Sequence, residues 1–449
     1  MTHAYPPGPR GLPLIGSALE FMYAGLPFVS GLARYGDLTH FKIGPIDAYL
    51  LNRAEYVHDA LVKRGDIFYK DRLMELASKK FLGAPLVLSN GESRRRKRKL
   101  LQPAFNHKRL GGHMAIMTRQ ADLLIERWRR ADKVVAEREM METTLSIVCE
   151  AILGSDVSEH IDAIAEAMTL FQKTLALELR GAIVVPDWLP IRHKREMKRA
   201  IRILDSVARQ MIAGRRERGG DGGDLLSMLI DATGDDGASM SDEDVRDEVL
   251  AILMAGHETT ANLLTWALYR LARCPEVEEK LQREVDEVLQ GRTPTLADLP
   301  RLGYLDMLVK ETLRVYPPLW LTSRSPIEDV TFGDYTVRAG SIVFICPYLI
   351  HRDPRYFEAP ERFVPERFEI GFEKSLPPLA YLPFGAGPTV CIGQHFATME
   401  AKVLLARIAQ SYTVRLSRDG DITPRAPVTL QPSRPVELTV ATRPTRNFA

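Results

Sequence analysis

Cysteines and long apolar runs are scarce in this sequence, and their scarcity excludes several classes of protein. The 449 residues include four cysteines, which lie far apart with no C-x-x-C pair. Neither a disulfide framework nor a cysteine zinc site is therefore expected. No apolar run approaches the roughly 20 residues that a transmembrane helix needs. Residues 1–9 lack the basic segment and apolar core of a signal peptide, so we expect a cytoplasmic protein without a membrane anchor.

The sequence also lacks a strong net charge, internal repeats and an obvious linker. Lysine and arginine number 60 against 58 acidic residues, a formal charge of +2, so overall charge favours neither nucleic acid nor an acidic substrate as a partner. The hydrophobic fraction of 45% suits an ordinary globular protein. We expect a single domain over residues 1–449.

Hydrophobic periodicity predicts a mainly α protein with small β-sheets, in the α+β class. Strand patterns at 38–43, 48–51 and 330–347 place the β-rich part at approximately 1–70 and 320–350. Helical spacing dominates approximately 90–318 and 394–412, with breaks at 185–190 and 219–223. The longest helix is expected to begin after Ser241, capped with Asp244, and to end at Arg273 before Pro275. It would be about 45 Å long at ~1.5 Å per residue.

One cysteine lies in an unusual run, Phe384-Gly385-Ala386-Gly387-Pro388-Thr389-Val390-Cys391-Ile392-Gly393. A helix-compatible stretch starts at Gln394, so a Cys391 thiolate would lie near a helix N-terminus, where negative charge is favoured. Glycines let backbone amides approach the sulfur, and Phe384 can shield it from water. This pattern favours a thiolate that binds haem iron. The alternative is a buried structural cysteine beside a turn.

A second polar motif, Ala255-Gly256-His257-Glu258-Thr259-Thr260, falls in the middle of the longest helix. Ala255 and Thr259 share a helix face, and the Thr259 hydroxyl can bond the Ala255 carbonyl. Gly256 has no side chain to block a small ligand such as dioxygen. Glu258 beside a hydroxyl makes a short proton relay. The alternative is a polar stripe on a long helix.

Two further motifs are charged. Glu311 and Arg314 are spaced to pair on one helix face, and Arg367 could complete a buried network. Residues 94–99 are all basic, which is typical of a solvated helix face or of nucleic-acid binding. A third interpretation fits better: one face neutralises the carboxylates of a buried cofactor, and the other meets an acidic protein partner.

Taken in chain order, these motifs resemble those of the cytochrome P-450 superfamily, soluble bacterial type. They are the basic helix, A-G-x-E-T-T, E-x-x-R, P-E-R-F and F-x-x-G-x-x-x-C-x-G, within a likeness that runs from Pro6 to Pro432. The resemblance implies a triangular, mainly helical prism. It also implies haem b (iron protoporphyrin IX) between the long helix and the cysteine loop.

The resemblance also implies roles for single residues. Cys391 would be the axial thiolate and the metal ligand, and the haem site would include Phe384, Gly385, Gly393, Arg94, Arg98 and Arg324. Glu258 and Thr259, with Ala255 and Gly256, would form the catalytic acid–alcohol group. Glu311, Arg314 and Arg367 would support the cysteine loop.

This sequence departs from the family pattern at two positions. Thr389 stands two residues before the cysteine, where members usually have arginine or histidine. Arg94 stands where the basic helix usually carries tryptophan. We hypothesise that Arg94 compensates for Thr389 as a partner of the haem propionates.

The expected activity is monooxygenation of a lipophilic substrate such as a fatty acid or terpenoid. The intact Glu258-Thr259 pair favours dioxygen and two electrons over a peroxide-using variant, and a non-catalytic haem sensor is the alternative from another class. No flavin or iron–sulfur segment follows residue 449, so a separate ferredoxin or flavodoxin with an NAD(P)H-linked reductase is expected. Family positions predict an apolar substrate pocket from Leu73, Leu76, Leu86, Leu253, Met254, Leu319, Trp320, Leu321 and Val428.

Overall fold

The computed structural model describes residues 5–154, 161–180, 191–219, 224–231 and 240–444. The break predicted at 185–190 lies outside these residues, as does all but Gly219 of the break predicted at 219–223. Among the described helices, none is long and apolar enough to cross a membrane.

Helices make up most of the described chain, as predicted. Helices α1–α7 are Ala18–Ala24, Leu26–Leu32, Ala54–His58, Arg72–Leu82, Gly91–Leu101, His107–Trp128 and Ala136–Ala151. Helices α8–α16 are Ile161–Arg180, Arg192–Arg218, Leu225–Asp231, Asp242–Arg273, Pro275–Leu289, Gly303–Val315, Pro347–Ile350, Phe372–Ser375 and Gln394–Ser411.

The long helix α11 has the predicted ends. Ser241 Oγ accepts from the Asp244 N–H at 3.1 Å, and this cap satisfies one of the free amides at the helix start. Pro275 opens α12 as its first residue, because a proline has no N–H to continue the preceding helix. The centre of α11 packs tightly on α7, where a Cβ placed on Gly256 would lie 3.1 Å from Val148 Cγ2.

The strands form small sheets whose members come from distant parts of the chain. They are β1 Leu38–Ile43, β2 Ile46–Leu51, β3 Phe68–Tyr69, β4 Lys133–Val135, β5 Thr322–Pro326, β6 Val330–Phe332, β7 Tyr335–Val337, β8 Ile342–Ile345, β9 Tyr412–Leu416, β10 Pro424–Arg425, β11 Gln431–Pro432 and β12 Glu437–Thr442. The largest sheet has the order β1-β2-β8-β5-β3.

Within that sheet, β2 pairs parallel with β8 and β5 pairs antiparallel with β8 and β3. Tyr69 on β3 lies opposite Ser325 on β5, so the residues just after β3 come close to Arg324. The two-stranded sheet β10–β11 pairs Arg425 with Gln431. This pairing folds residues 426–430 into a turn that returns to α11.

Candidate functional site

The cysteine loop is held by its own backbone. The Cys391 N–H donates to the Phe384 carbonyl at 2.9 Å, and the Val390 N–H donates to the Gly387 carbonyl at 3.1 Å. A single 3-10 turn spans Gly387–Thr389, and α16 begins at Gln394. The partly buried ring of Phe384 packs against the main core. The chain therefore presents Cys391 three residues before a helix, as the sequence indicates.

Gly387 is a position where only glycine fits. Its φ of 62° lies in the left-handed region, and a Cβ there would stand 1.8 Å from the Leu61 carbonyl oxygen. Any side chain would push the cysteine loop away from residues 59–63. The loop thus requires glycine at position 387, which was not among the residues predicted from the sequence.

Cys391 keeps solvent-accessible surface, although many protein groups lie around its sulfur. Burial of the surrounding site raises the pKa of the Cys391 thiol, while the Gly393 N–H and Arg98 oppose that shift. A bound metal cation would add the positive charge that a thiolate needs, since a coordinating thiol is deprotonated outright.

The basic side chains of α5 have different surroundings. Arg98 Nη1 donates to the Val390 carbonyl at 2.8 Å, and the buried Arg94 donates to the Pro388 carbonyl. The two predicted haem-binding arginines of α5 therefore hold carbonyls of the loop that precedes Cys391. Lys97 instead turns to Glu248 on α11, with 3.1 Å between Nζ and Oε1. The remaining members of the basic run, Arg95, Arg96 and Lys99, are exposed.

Thr389 has a defined partner. Arg324, on β5, donates from Nη2 to Thr389 Oγ1 at 2.9 Å and from Nη1 to the Ser323 carbonyl at 2.7 Å. Burial lowers the pKa of Arg324 to about 10, with a smaller contribution from the charge of Arg94. Thr389 carries no charge, but its hydroxyl orients a buried guanidinium toward the cysteine loop.

Lys70 joins these arginines, although the sequence analysis did not predict it. Burial lowers the pKa of Lys70 well below its usual value, and the charges of Arg324 and Arg94 lower it further, while Asp71 opposes them. The Asp71 carboxylate already accepts from the Met74 N–H at 2.9 Å and from the Ser323 hydroxyl. Lys70 was missed because only the β3–β5 pairing brings it beside Arg324.

This surplus of cations tests whether the site fits a haem. Buried cations are costly unless an opposite charge meets them. Lys70, Arg94 and Arg324 outnumber the two carboxylates beside them, those of Asp71 and of the exposed Asp66, which lies 4.0 Å from Arg94 Nη2. A ligand with two carboxylates, such as the propionates of haem b, would supply the missing negative charge. The donor set therefore fits the cofactor that the resemblance implies.

On α11, the acid and the alcohol of the predicted relay have different hydrogen-bond partners. Thr259 Oγ1 donates to the Ala255 carbonyl at 2.7 Å, and Ala255 is exposed although its neighbours Leu253 and His257 are buried. Glu258 is buried, and Thr429 Oγ1 donates to its Oε1 at 2.6 Å. Gly256 faces α7, where its missing side chain serves helix packing.

The E-x-x-R motif forms the predicted network. Arg314 donates to both Glu311 oxygens at 2.7 and 2.8 Å, and both side chains are fully buried. Arg367 Nε lies 3.7 Å from Glu311 Oε2. His351, which was not predicted, extends this network, because its Nε2 accepts from the Leu382 N–H at 2.9 Å at the start of the cysteine loop. Burial and the Arg314 charge lower the pKa of His351 to about 3, so its ring is neutral.

The predicted substrate-pocket residues have different degrees of exposure. Leu253 is fully buried, and Trp320 is nearly so, as expected of core packing. Leu319 is exposed, while Leu86, Met254, Leu321 and Val428 are partly exposed. Leu73 and Leu76 lie on α4, but their side chains are outside the described part of the structure. Met254 directly precedes the exposed Ala255 on α11.

Residues 6–440 match the family model described as Cytochrome P-450. The chain is 35% identical over 431 residues to cyclooctatin synthase of Streptomyces melanosporofaciens, across 94% of this chain and 92% of that relative. It is 32% identical over 414 residues to cyclooctat-9-en-7-ol 5-monooxygenase of the same organism, across 91% and 89%. Among solved structures, retinoic-acid-bound cyanobacterial CYP120A1 shares the fold, with a TM-score of 0.89, 24% identity and coverage of 99% and 100%.

Proposed function

Because the chain belongs to the cytochrome P-450 family and is a haem monooxygenase of lipophilic substrates, we propose that it hydroxylates a carbocyclic terpenoid. The observation that carries this choice is the similarity to a relative named as the 5-monooxygenase of cyclooctat-9-en-7-ol, a cyclic alkenol. The partly exposed side chains of Met254, which precedes Ala255, and of Val428, which precedes Thr429, are compatible with such a substrate. We further propose one cytoplasmic domain over the whole chain.

In this proposal, Cys391 would hold haem b through its thiolate, and Arg94, Arg98, Arg324 and Lys70 would hold the propionates. The haem supplies the iron that activates dioxygen with two electrons. The reaction consumes a substrate C–H, dioxygen, two electrons and two protons, and yields the alcohol and water. The residues of this chain bind the substrate, exclude water and move protons.

The proton path is proposed to run through Glu258 and Thr259. Thr259 Oγ1 already donates to a backbone carbonyl of α11, so it can change partner when a substrate and dioxygen lie beside Ala255. Glu258 is buried yet fully hydrogen-bonded on one oxygen, which suits a carboxylate that must remain available in an apolar environment.

Electrons are proposed to come from a ferredoxin or flavodoxin with its NAD(P)H-linked reductase. The exposed cations of α5, namely Arg95, Arg96 and Lys99, lie on the same helix as the arginines that hold the Cys391 loop. An acidic protein docked there would meet complementary charge close to the cysteine side of the haem.

The experiment is turnover of purified haem-loaded protein with a surrogate ferredoxin, its reductase, NAD(P)H and ¹⁸O-labelled dioxygen. The probes are cyclic terpene alcohols and fatty acids of matched carbon number. Labelled hydroxylated terpenoid supports the proposal. Labelled fatty acids alone would overturn the substrate class, and product formed only with added peroxide would indicate a peroxide-using variant. A spin-state shift without any product would indicate a sensor.

A further inference from the structure

The carboxylate of Glu258 is held by the C-terminal turn of the chain. Thr429 Oγ1 donates to Glu258 Oε1 at 2.6 Å, and Gln431 Nε2 donates to the same oxygen at 3.0 Å. Asn262, one helical turn after Glu258, donates from Nδ2 to Thr429 Oγ1 at 3.0 Å. Glu258, Asn262 and Thr429 are all buried.

All of these hydrogen bonds are donated toward Glu258. A threonine hydroxyl has a single hydrogen, and Thr429 uses it toward Glu258 while it accepts from Asn262. The donors Asn262, Thr429 and Gln431 therefore form a set that ends on one carboxylate oxygen. Hydrogen bonds donated to a carboxylate are stronger than those between neutral groups, so the set fixes the position of the Glu258 side chain.

The turn itself is anchored at three places. Trp266 Nε1 on α11 donates to the Leu430 carbonyl at 3.1 Å, and the Leu430 N–H donates to the Pro318 carbonyl at 2.9 Å. Gln431 begins β11, which pairs with β10. The backbone of the turn is therefore bonded both to α11 and to Pro318, which directly precedes Leu319.

The same turn carries Val428, which is partly exposed and precedes Thr429 directly. Consecutive helix residues point about 100° apart, and Thr259 correspondingly bonds the Ala255 carbonyl rather than Glu258. The acid is held on the side of the turn, and the alcohol is held on the side of Ala255. A displacement of Val428 would move Thr429, and Thr429 would move Glu258.

We propose that Thr429 and Gln431 are positioning residues for Glu258, which link substrate contact at the 428–431 turn to the placement of the Glu258 carboxyl group in the proton path. This inference rests on the proposed monooxygenase relay. It assigns to the turn a role in proton supply in addition to substrate fit.

The test compares Thr429→Val and Gln431→Leu with Glu258→Gln in the haem-loaded protein. Thr423→Val is the matched control, because its hydroxyl bonds Ser433 Oγ at 3.1 Å on the exposed side of the same hairpin. We expect a several-fold loss of product per NAD(P)H consumed in both turn variants, in the direction of Glu258→Gln. In both turn variants, the substrate concentration that gives the half-maximal spin-state shift should equal that of the wild type. The Thr423→Val control should match the wild type in this concentration and in product yield. A change confined to that concentration, or no change in product yield, would overturn the inference.

A second readout is independent of turnover. Melting temperatures of Glu258→Gln, Thr429→Val and the double variant form a cycle that reports direct coupling. We expect the double variant to lose clearly less than the sum of the two single shifts. Additive shifts would overturn the inference even if the wild-type protein makes product. If the wild type makes no product from any probe, the proposed function fails, and this cycle alone decides the inference.

Discussion

Arg324 Nη2 donates to Thr389 Oγ1 at 2.9 Å, so the residue that stands where the family usually has a cation is bound to a cation from β5. Thr389→Val keeps the shape of the side chain and removes the acceptor. Loss of this bond, worth ~1 kcal/mol, should raise the dissociation constant of haem about fivefold. Haem titration of the apoprotein measures it. Thr331→Val, an exposed threonine on β6, is the control, and an unchanged haem affinity in Thr389→Val would contradict the role.

Arg94 offers a second test of haem anchoring. Its guanidinium donates to the Pro388 carbonyl and lies near Lys70 and Arg324. Arg94→Ala should reduce both haem occupancy after purification and haem affinity, because the cysteine loop loses a donor and the propionates lose a cation. Arg96→Ala, on the exposed face of the same helix, should keep full occupancy. If Arg94→Ala also kept full haem occupancy and affinity, the hypothesis that Arg94 compensates for the uncharged Thr389 would be refuted.

Cys391 is the residue on which the cofactor assignment depends. Cys391→Ser should fold, since this side chain lies in an exposed loop position. It should lose the red-shifted carbon monoxide absorption band that a thiolate-ligated ferrous haem gives. Cys274→Ser, at the end of α11, should retain the band. Persistence of the band in Cys391→Ser would show that another group binds the iron.

The Glu311–Arg314 pair predicts a large effect on stability. Arg314→Met leaves the Glu311 charge buried without its main partner, and breaking a buried pair in this way costs about 3–5 kcal/mol. Chemical denaturation followed by circular dichroism measures the free energy of unfolding. Arg129→Met removes the exposed Arg129–Glu126 pair, whose Nη1–Oε2 distance is 2.8 Å, and should cost less than about 1 kcal/mol. Equal losses in both variants would contradict the structural role of the network.

Glu400 predicts a dependence of stability on pH. This fully buried carboxyl lies on α16, and burial raises its pKa well above the usual value, with the Thr260 hydroxyl opposing the shift. Folding therefore favours the protonated form. The contribution of Glu400 to stability is complete below its ordinary pKa of 4.5 and is lost as pH rises through the raised pKa.

The corresponding variant is Glu400→Gln, which is neutral at every pH. Its melting temperature should exceed that of the wild type at about pH 8, and the difference should shrink toward about pH 5. Glu287→Gln, an exposed position on α12, should show no such trend. A wild type and a Glu400→Gln variant with parallel pH profiles would contradict the raised pKa.

Local signals in the sequence predicted much of the fold. Ser241 and Pro275 mark the ends of α11 because capping and the missing proline N–H act within a few residues. The helix ending at Val315 and the strands within 330–347 follow from spacing and turn residues in the same way. The three-residue spacing also predicted the pairing of Glu311 with Arg314, since it places both residues on one helix face.

Contacts between distant segments could not be predicted in this way. Lys70 meets Arg324 only because β3 pairs with β5. The hydrogen-bond partners of Glu258 are Thr429 and Gln431, which the β10–β11 hairpin brings to α11. Nothing in the sequence around residue 258 specifies which partner a buried carboxylate will find.

The parallel pairing of β2 with β8 has a consequence for biosynthesis. At ~5–20 residues per second, the ribosome needs roughly 15 to 60 s after β2 to produce β8. Until then the hairpin β1–β2 has an open edge, which is a template for unwanted association. Closing it requires a long chain loop, a slow step. The nascent chain should therefore depend on chaperones until its last quarter emerges, and C-terminal truncations before β8 should aggregate rather than accumulate as folded fragments.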